Sequence, residues 1–505
     1  MIQRTAHILP ALALFVLANR TAGGQRPTPA TIAHAVDSLA VRIIDARLTP
    51  ALGVAVVMDG KTVLSKSYGL TDATNNVRAD DQTLWYLAST SKSLTGFGVS
   101  LLADRGVLRL DAPITELLPG TQWDASARAS TLTLSRFLSH THYLNDNAVV
   151  TNAAYTGAIP ESRWPTLLRY ATPSGNSDMV YSNFGYNVAA MVIDAKHPEG
   201  WRRYLEHAVY APAGMRETYA QVSGLDRRRI AMPHALLANG TFITSEFQKA
   251  DATMNSAGGH LATLSDLARW ITVQMDSGVI DGKRAFPASA VALSQRMIAP
   301  HTVAASKRFA YFDREGWGAG WDIGRYDGER MVSRFGSYHS MRSHLSMLPG
   351  RRIGVVAQAN GRPGWTATDL VAAFAYDLEA GRPHARTLAE ERLQQLIAER
   401  DSRIRQVAIS DSIRASRQRP MNRPLSDFAG TFADDAYGRM TLSLRNGALF
   451  YSWGVLSGPV EIFDADRQQL RIEFAGGGNV VSFAFSGAGP ATSLEINGAT
   501  LRRVP

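Results

Sequence analysis

A strand–turn–strand signal near the N-terminus, "ALGVAVVMDGKTVLSKSYGLTD" (51–72), has no comparable neighbour until far along the chain. Asp59-Gly60 marks the turn between two strand-like runs. The next such runs are "GWDIGRYDGERMVSRFG" (320–336), "HLSMLPG" (344–350) and "RIGVVAQAN" (352–360). Between them lie loops and helical patterns, among them "SDLARWITVQM" within 264–278, and a helix over 367–380 closes the unit. "TIAHAVDSLAVRIIDARL" (31–48) reads as a helix ahead of the first strand. Strands at both ends with helices between imply one antiparallel sheet assembled from N- and C-terminal pieces, flanked by helices, with a helical region inserted. The fold class is α+β.

Four segments follow. Residues 1–24 carry Arg4, a short apolar core "ILPALALFVLA" and small residues "TAGG", the pattern of a cleaved secretory signal. The main unit covers 25–385. Residues 386–424 form an arginine-rich helical linker whose thin stripe, Leu393, Ile397, Ile404 and Ala408, suits a surface helix. From 425 to 505 the pattern turns to period two, with a hairpin at Asn446-Gly447 and another at three glycines, a small all-β domain. A periplasmic or secreted protein without an integral membrane segment is expected after signal cleavage. The chain lacks cysteine, which excludes disulfides and thiolate metal sites. Its net charge of +9 is scattered rather than striped, apart from 400–424, so no nucleic-acid partner is expected.

The stretch "WYLASTSKSLTGFGVSLLADRG" (85–106) carries the chemistry. Residues three apart on a helix share a face, so Lys92 can reach the Ser89 hydroxyl. Serine needs a base to become a nucleophile, and a desolvated lysine can serve where an arginine cannot. Only seven of the 53 cations are lysines, and Lys92 alone has a serine three positions ahead of it. A helix starting at Ser89 would also aim its N–H at a developing oxyanion. The competing reading makes Ser89 a helix N-cap and Lys92 a solvated first-turn residue.

Ser89-x-x-Lys92 within "LWYLASTSKSLTG" resembles the serine β-lactamase and penicillin-binding-protein superfamily, in particular its class C β-lactamase-like branch of esterases and D-Ala-D-Ala peptidases. Further matches fall in that branch's order: "GVLRLDAPITELLP" (106–119), "LTLSRFLSHT" (132–141), Tyr181-Ser182-Asn183, "APAGMRET" (211–218), "AGGHLATLSDLARW" (257–270) and "GWGAGWDI" (316–323). The resemblance covers roughly residues 31 to 380 and implies a β-lactamase/transpeptidase-like fold. More loosely, 425–505 is similar to the β-barrel-like domain often appended to this branch, which would pack beside the cleft, bind envelope material or simply stabilise.

The resemblance implies catalytic Ser89, Lys92 and Tyr181, with Tyr181 shuttling the proton. A rival Tyr143-Leu144-Asn145 lies too early, inside the segment matched to the His-Thr loop. Asn183 would orient the substrate, or else cap a turn. The third family element falls at Arg334-Phe335-Gly336-Ser337, with arginine in place of lysine or histidine. Arg334 would bind a substrate carboxylate with its fork, or else be an exposed strand arginine. Gly336 would let substrate backbone approach, and the Ser337 N–H would join the Ser89 N–H in an oxyanion hole. His142-Tyr143 and Ser340-Met341 also depart from the family pattern. His140 with His142, and His339 with His344, are read as structural, since no spacing matches a metal site. No metal and no other cofactor is implied.

The expectation is an exported serine hydrolase cleaving an ester or amide (β-lactam, D-amino-acid peptide or small ester) through an acyl-enzyme on Ser89. The substrate would be a small molecule or peptide, cell-wall-derived peptides included, and the altered third motif favours an esterase or D-peptidase over a dedicated β-lactamase. The alternative is a catalytically silent β-lactamase-like protein that binds envelope peptides or a partner.

Overall fold

The computed structural model describes residues 27–145, 147–175, 179–301, 312–362, 364, 366–417, 420–474 and 476–505, so the leader expected at 1–24 lies outside it. Its centre is a nine-stranded antiparallel sheet. In spatial order the strands are Ala299–Pro300, Asp313–Trp317, Asp322–Tyr326, Glu329–Tyr338, Met341–Leu348, Ile353–Ala359, Ala51–Met58, Lys61–Asp72 and Val77–Arg78. The two ends of the unit meet where Val54 pairs with Ala357 and Val56 with Val355.

The Ala51–Met58 strand is buried along nearly its whole length because both faces of the sheet are covered. Leu52, Val54 and Val56 enter one core, with the helices Pro29–Asp45 and Ala367–Glu379. Ala51, Ala55 and Val57 enter the other, with the helices Ser91–Asp104, Phe184–Lys196 and Leu264–Met275. This is the period-two alternation of a strand sandwiched between two apolar layers. The second core extends into the inserted helical region and lies beside the end of the Glu329–Tyr338 strand, an interior strand of the sheet.

The linker is one helix, Ala385–Ser416, of 32 residues. It differs from the expected surface helix in its first three turns. Ala385, Ala389, Leu393 and Leu396 are buried, at the spacing of one helix face. Of the stripe read from sequence, Leu393 and Ile397 pack on the core, Ile404 is half-buried and Ala408 exposed; Ile409 and Ile413, outside that stripe, are 61% and 48% exposed. The C-terminal domain is a closed eight-stranded barrel, sealed by pairing of Gly430–Asp434 with Ala499–Val504. Asn446 and Gly447 both have positive φ, 48° and 80°, as a tight hairpin turn requires.

The barrel docks on the inserted region through backbone and side-chain bonds. Val455 N–H donates to Thr156 O (2.7 Å), and Asn152 Nδ2 donates to Ala436 O (2.8 Å). Tyr155 lies against Phe474 with ring centroids 5.1 Å apart. Among the described residues, no helix is long and apolar enough to cross a membrane.

The two ends of the linker helix therefore differ in worth. Leu393→Ala should cost about 2–4 kcal/mol through a cavity under its first turns. Ile409→Ala, on the exposed stretch, should stay within about 0.5 kcal/mol. Chemical denaturation followed by tryptophan fluorescence measures both.

Candidate active site

Ser89 sits in a single 3-10 turn, Ala88–Thr90, that feeds the α-helix Ser91–Asp104. The helix begins two residues later than expected, and Ser89 is not its cap. Its Oγ faces Lys92 Nζ at 3.2 Å and the Tyr181 hydroxyl at 2.6 Å. Ala88, just before it, has φ +46°, a left-handed conformation that costs a non-glycine residue about 1 kcal/mol. The surroundings hold it there. Leu87 N–H donates to His260 O (2.9 Å), Thr90 Oγ1 donates to Leu87 O (2.6 Å) and Thr90 Oγ1 also pairs with Ser343 Oγ (2.9 Å).

Lys92 is fully buried, and its ammonium has three acceptors: Ser89 Oγ, Asn183 Oδ1 (2.7 Å) and Ala257 O (2.7 Å). Burial draws its pKa down to about 8; the neighbouring phenol resists this and Arg334 assists it. Burial would push Tyr181 up, but the charges of Lys92 and Arg334 and the bond to Ser89 outweigh it and bring the phenol to about 8. Tyr181 is 41% exposed, so the cleft is open to its ring. The rival Tyr143 packs against the core instead.

Arg334 does not present an open fork to the cleft. It is 2% exposed, and its three nitrogens are engaged: Nε with Ser89 O (3.0 Å), Nη2 with the Tyr181 hydroxyl (3.0 Å) and Nη1 with Asp322 Oδ2 (3.4 Å). The guanidinium also lies 4.6 Å from the Trp317 ring centre. The expected grip on a substrate carboxylate gives way to a clamp on the Ser89 turn and the Tyr181 phenol. Gly336 likewise serves that turn. A Cβ there would lie 2.2 Å from Leu87 O and 2.9 Å from Ser89 N, so the close approach it permits is that of the chain's own backbone. Ser337 is exposed at the cleft edge, and pairing of its strand with Asp322–Tyr326 stops at Ser333, which leaves 334–338 to meet the Ala88–Thr90 turn. Ser89 and Ser337 thus sit together, and Asn183 joins them through Lys92.

The supports were not legible as such. Asp322 is buried with Arg314 and His301 as well as Arg334. Burial would raise its carboxyl, but Arg314 above all, then His301 and Arg334, hold it well below the usual carboxylate range. Trp317 and His140 pack around Tyr181, the latter with ring centroids 4.6 Å apart. Asp322 and Trp317 fall within "GWGAGWDI", a segment the sequence flagged without showing its role. The histidines have ordinary partners: His140 Nδ1 accepts from Ser182 N–H, His142 Nδ1 accepts from Leu144 N–H, and His344 lies between Asp369 and Ser346.

Residues 36–380 match the Beta-lactamase family, and the chain belongs to it. Penicillin-binding protein 4 of Amycolatopsis lactamdurans is 24% identical over 62% of this chain and 81% of its own length. Protein flp of Staphylococcus aureus is 21% identical over 62% of this chain and 59% of its own. Two solved structures share the fold. The octameric penicillin-binding protein homologue from Pyrococcus abyssi has a TM-score of 0.59 at 16% identity, covering 93% of this chain and 99% of that one. The D-amino acid amidase from Ochrobactrum anthropi SV3 has a TM-score of 0.58 at 18% identity, covering 69% and 99%.

Removing the counter-charge exposes how the clamp is held. Asp322→Asn leaves two buried guanidiniums short of a carboxylate and should cost about 3–5 kcal/mol. Because the folded-state pKa is depressed, the stability Asp322 contributes is full above its unfolded pKa of about 3.9 and fades as pH falls through the folded value. Denaturation of wild type and variant at neutral and acidic pH should show the gap closing on acidification.

Proposed function

We propose that the protein is an exported serine hydrolase that cleaves an ester or amide through an acyl-enzyme on Ser89. The observation that supports it is the convergence of Lys92 Nζ and the Tyr181 hydroxyl on one serine oxygen. In this reading Lys92 and Tyr181 take the hydroxyl proton as Ser89 attacks the carbonyl. Tyr181 then passes that proton to the leaving group, and the N–H groups of Ser89 and Ser337 hold the oxyanion. Water repeats the sequence to free the acid. Asn183 commits Oδ1 to Lys92 and offers its Nδ2 to the substrate.

Arg334 acts as a positioning residue. Its engagement with Ser89 O, Tyr181 and Asp322 leaves no free fork for a carboxylate on the leaving side. That favours small esters or D-amino-acid amides over β-lactams. The family membership supports a serine hydrolase in general, and the D-amino acid amidase among its structural relatives is in keeping with an amide substrate. The leader-like residues 1–24 support export.

A fluorophosphonate probe should label wild type, and Ser89→Ala, which removes the oxygen that would bond to phosphorus, should abolish labelling. The labelled protein should be recovered outside the cytoplasm without residues 1–24, as read by N-terminal sequencing. Equal labelling of both proteins would sink the nucleophile assignment. No labelling beside saturable muropeptide binding would favour the silent alternative.

The pH dependence follows from the lowered pKa values. Below about pH 8 the lysine is an ammonium and the phenol keeps its proton, so no acceptor faces Ser89. The labelling rate should therefore rise as pH increases through about 8. Tyr181→Phe should slow labelling by about 10²–10⁴-fold. A flat profile between pH 6 and 9 would contradict the assigned base.

A further inference from the structure

A cavity of about 1210 Å³ lies within the inserted helical region. None of Ser89, Lys92, Tyr181 and Asn183 lines it, so it is a separate recess from the candidate active site. Pockets that hold small ligands start at about 300 Å³, so this one has room for several residues of a peptide. One wall is a single face of the Phe184–Lys196 helix: Asn187, Ala190, Met191 and Asp194 follow at steps of three, one and three. Trp164, Trp201 and Tyr210 bring aromatic rings from other elements.

Two polar groups on that helix face are left incomplete. Asn187 is fully buried, and among the described residues neither its Oδ1 nor its Nδ2 has a hydrogen-bond partner. A buried carboxamide without partners is costlier than the apolar side chain that could replace it. At the other end, exposed Asp194 accepts at Oδ1 from the Trp201 N–H (2.6 Å) and pairs with no cation of the described residues. The nearby cations are spent or turned elsewhere. Arg202 engages Glu161, Ala220 O (3.2 Å) and Met254 O (2.8 Å), and Arg203 pairs with Glu206 at 2.8 Å. Exposed Arg216 makes no bond to Asp194. The protein packed around Asp194 pushes its carboxyl up to about 6, with Glu161 assisting, while the Trp201 N–H and Arg202 resist.

Seven residues separate the two groups, about 10 Å along a helix that rises 1.5 Å per residue. An extended chain covers that distance in about three residues at ~3.3 Å each. A peptide unit offers one N–H and one C=O, which match the Oδ1 and Nδ2 of Asn187. An ammonium three residues away matches the carboxylate of Asp194. We propose that this cavity binds the free amino end of a short peptide, with the ammonium on Asp194 and a later peptide unit on Asn187. The site works without any reaction at Ser89, so it stands or falls independently of the acyl-enzyme reading.

Calorimetry on the full chain at neutral pH tests it with tetra-alanine amide against its N-acetylated form. The free amine should bind about tenfold or more tighter. Asp194→Asn, whose Oδ1 can still accept from Trp201, should erase that difference. n-Butylamine, which has the charge but no amide, should bind at least about tenfold more weakly than the peptide. Asn187→Leu should weaken the peptide about tenfold without lowering the melting temperature, because it removes two polar atoms that have no partners. Equal binding of the two peptide forms, or a preference for the free amine that survives Asp194→Asn, would overturn the proposal. So would n-butylamine binding as tightly as the peptide, or unchanged peptide affinity in Asn187→Leu.

Discussion

Arg334 carries a full charge with almost none of its surface in water, and such a charge persists only where each donor meets an acceptor. Here the acceptors are the Ser89 carbonyl, the Tyr181 phenol beside it and buried Asp322 on the adjacent strand. One guanidinium therefore fixes three parts of the chain that are far apart in sequence. A lysine could not span them, because its ammonium is a compact point charge rather than a planar fork. The strand that the family uses to border the cleft here braces the nucleophile from behind. Its free end at Ser337 is left to face what enters.

The same charge governs the proton. Arg334 neither accepts nor releases one, so in the proposed reaction the proton is left to Lys92 and Tyr181. Its field, with that of Lys92, draws the phenol down, while burial draws the lysine down, and the two groups come to similar affinities. Matched affinities let a proton pass between them with little loss in either direction. The geometry this needs is tight. Gly336 lets the sheet touch the turn, and Ala88 is held in a strained conformation so that Ser89 faces inward.

Period and spacing made the sheet readable, since two runs at the start and three near the end could only cover one another by pairing. Spacing paired Lys92 with Ser89, whereas Tyr181 came only from the family resemblance, which also set it apart from Tyr143 by position. The orientation of Arg334 was not readable. Alternation along a strand tells which face a side chain takes, but not that Asp322, twelve residues earlier, waits across the neighbouring strand. The linker was half legible for a similar reason. Its stripe fixes a helix and a face, yet only the fold shows that the first turns find a core and the last do not.

That helix also determines what the barrel can do. At 1.5 Å per residue, 32 residues extend about 48 Å, well beyond the anchoring Leu393. The barrel that follows is tied back by a backbone bond from Val455 to Thr156 and by the Tyr155–Phe474 contact. It therefore acts as a fixed part of the fold rather than a tethered appendage.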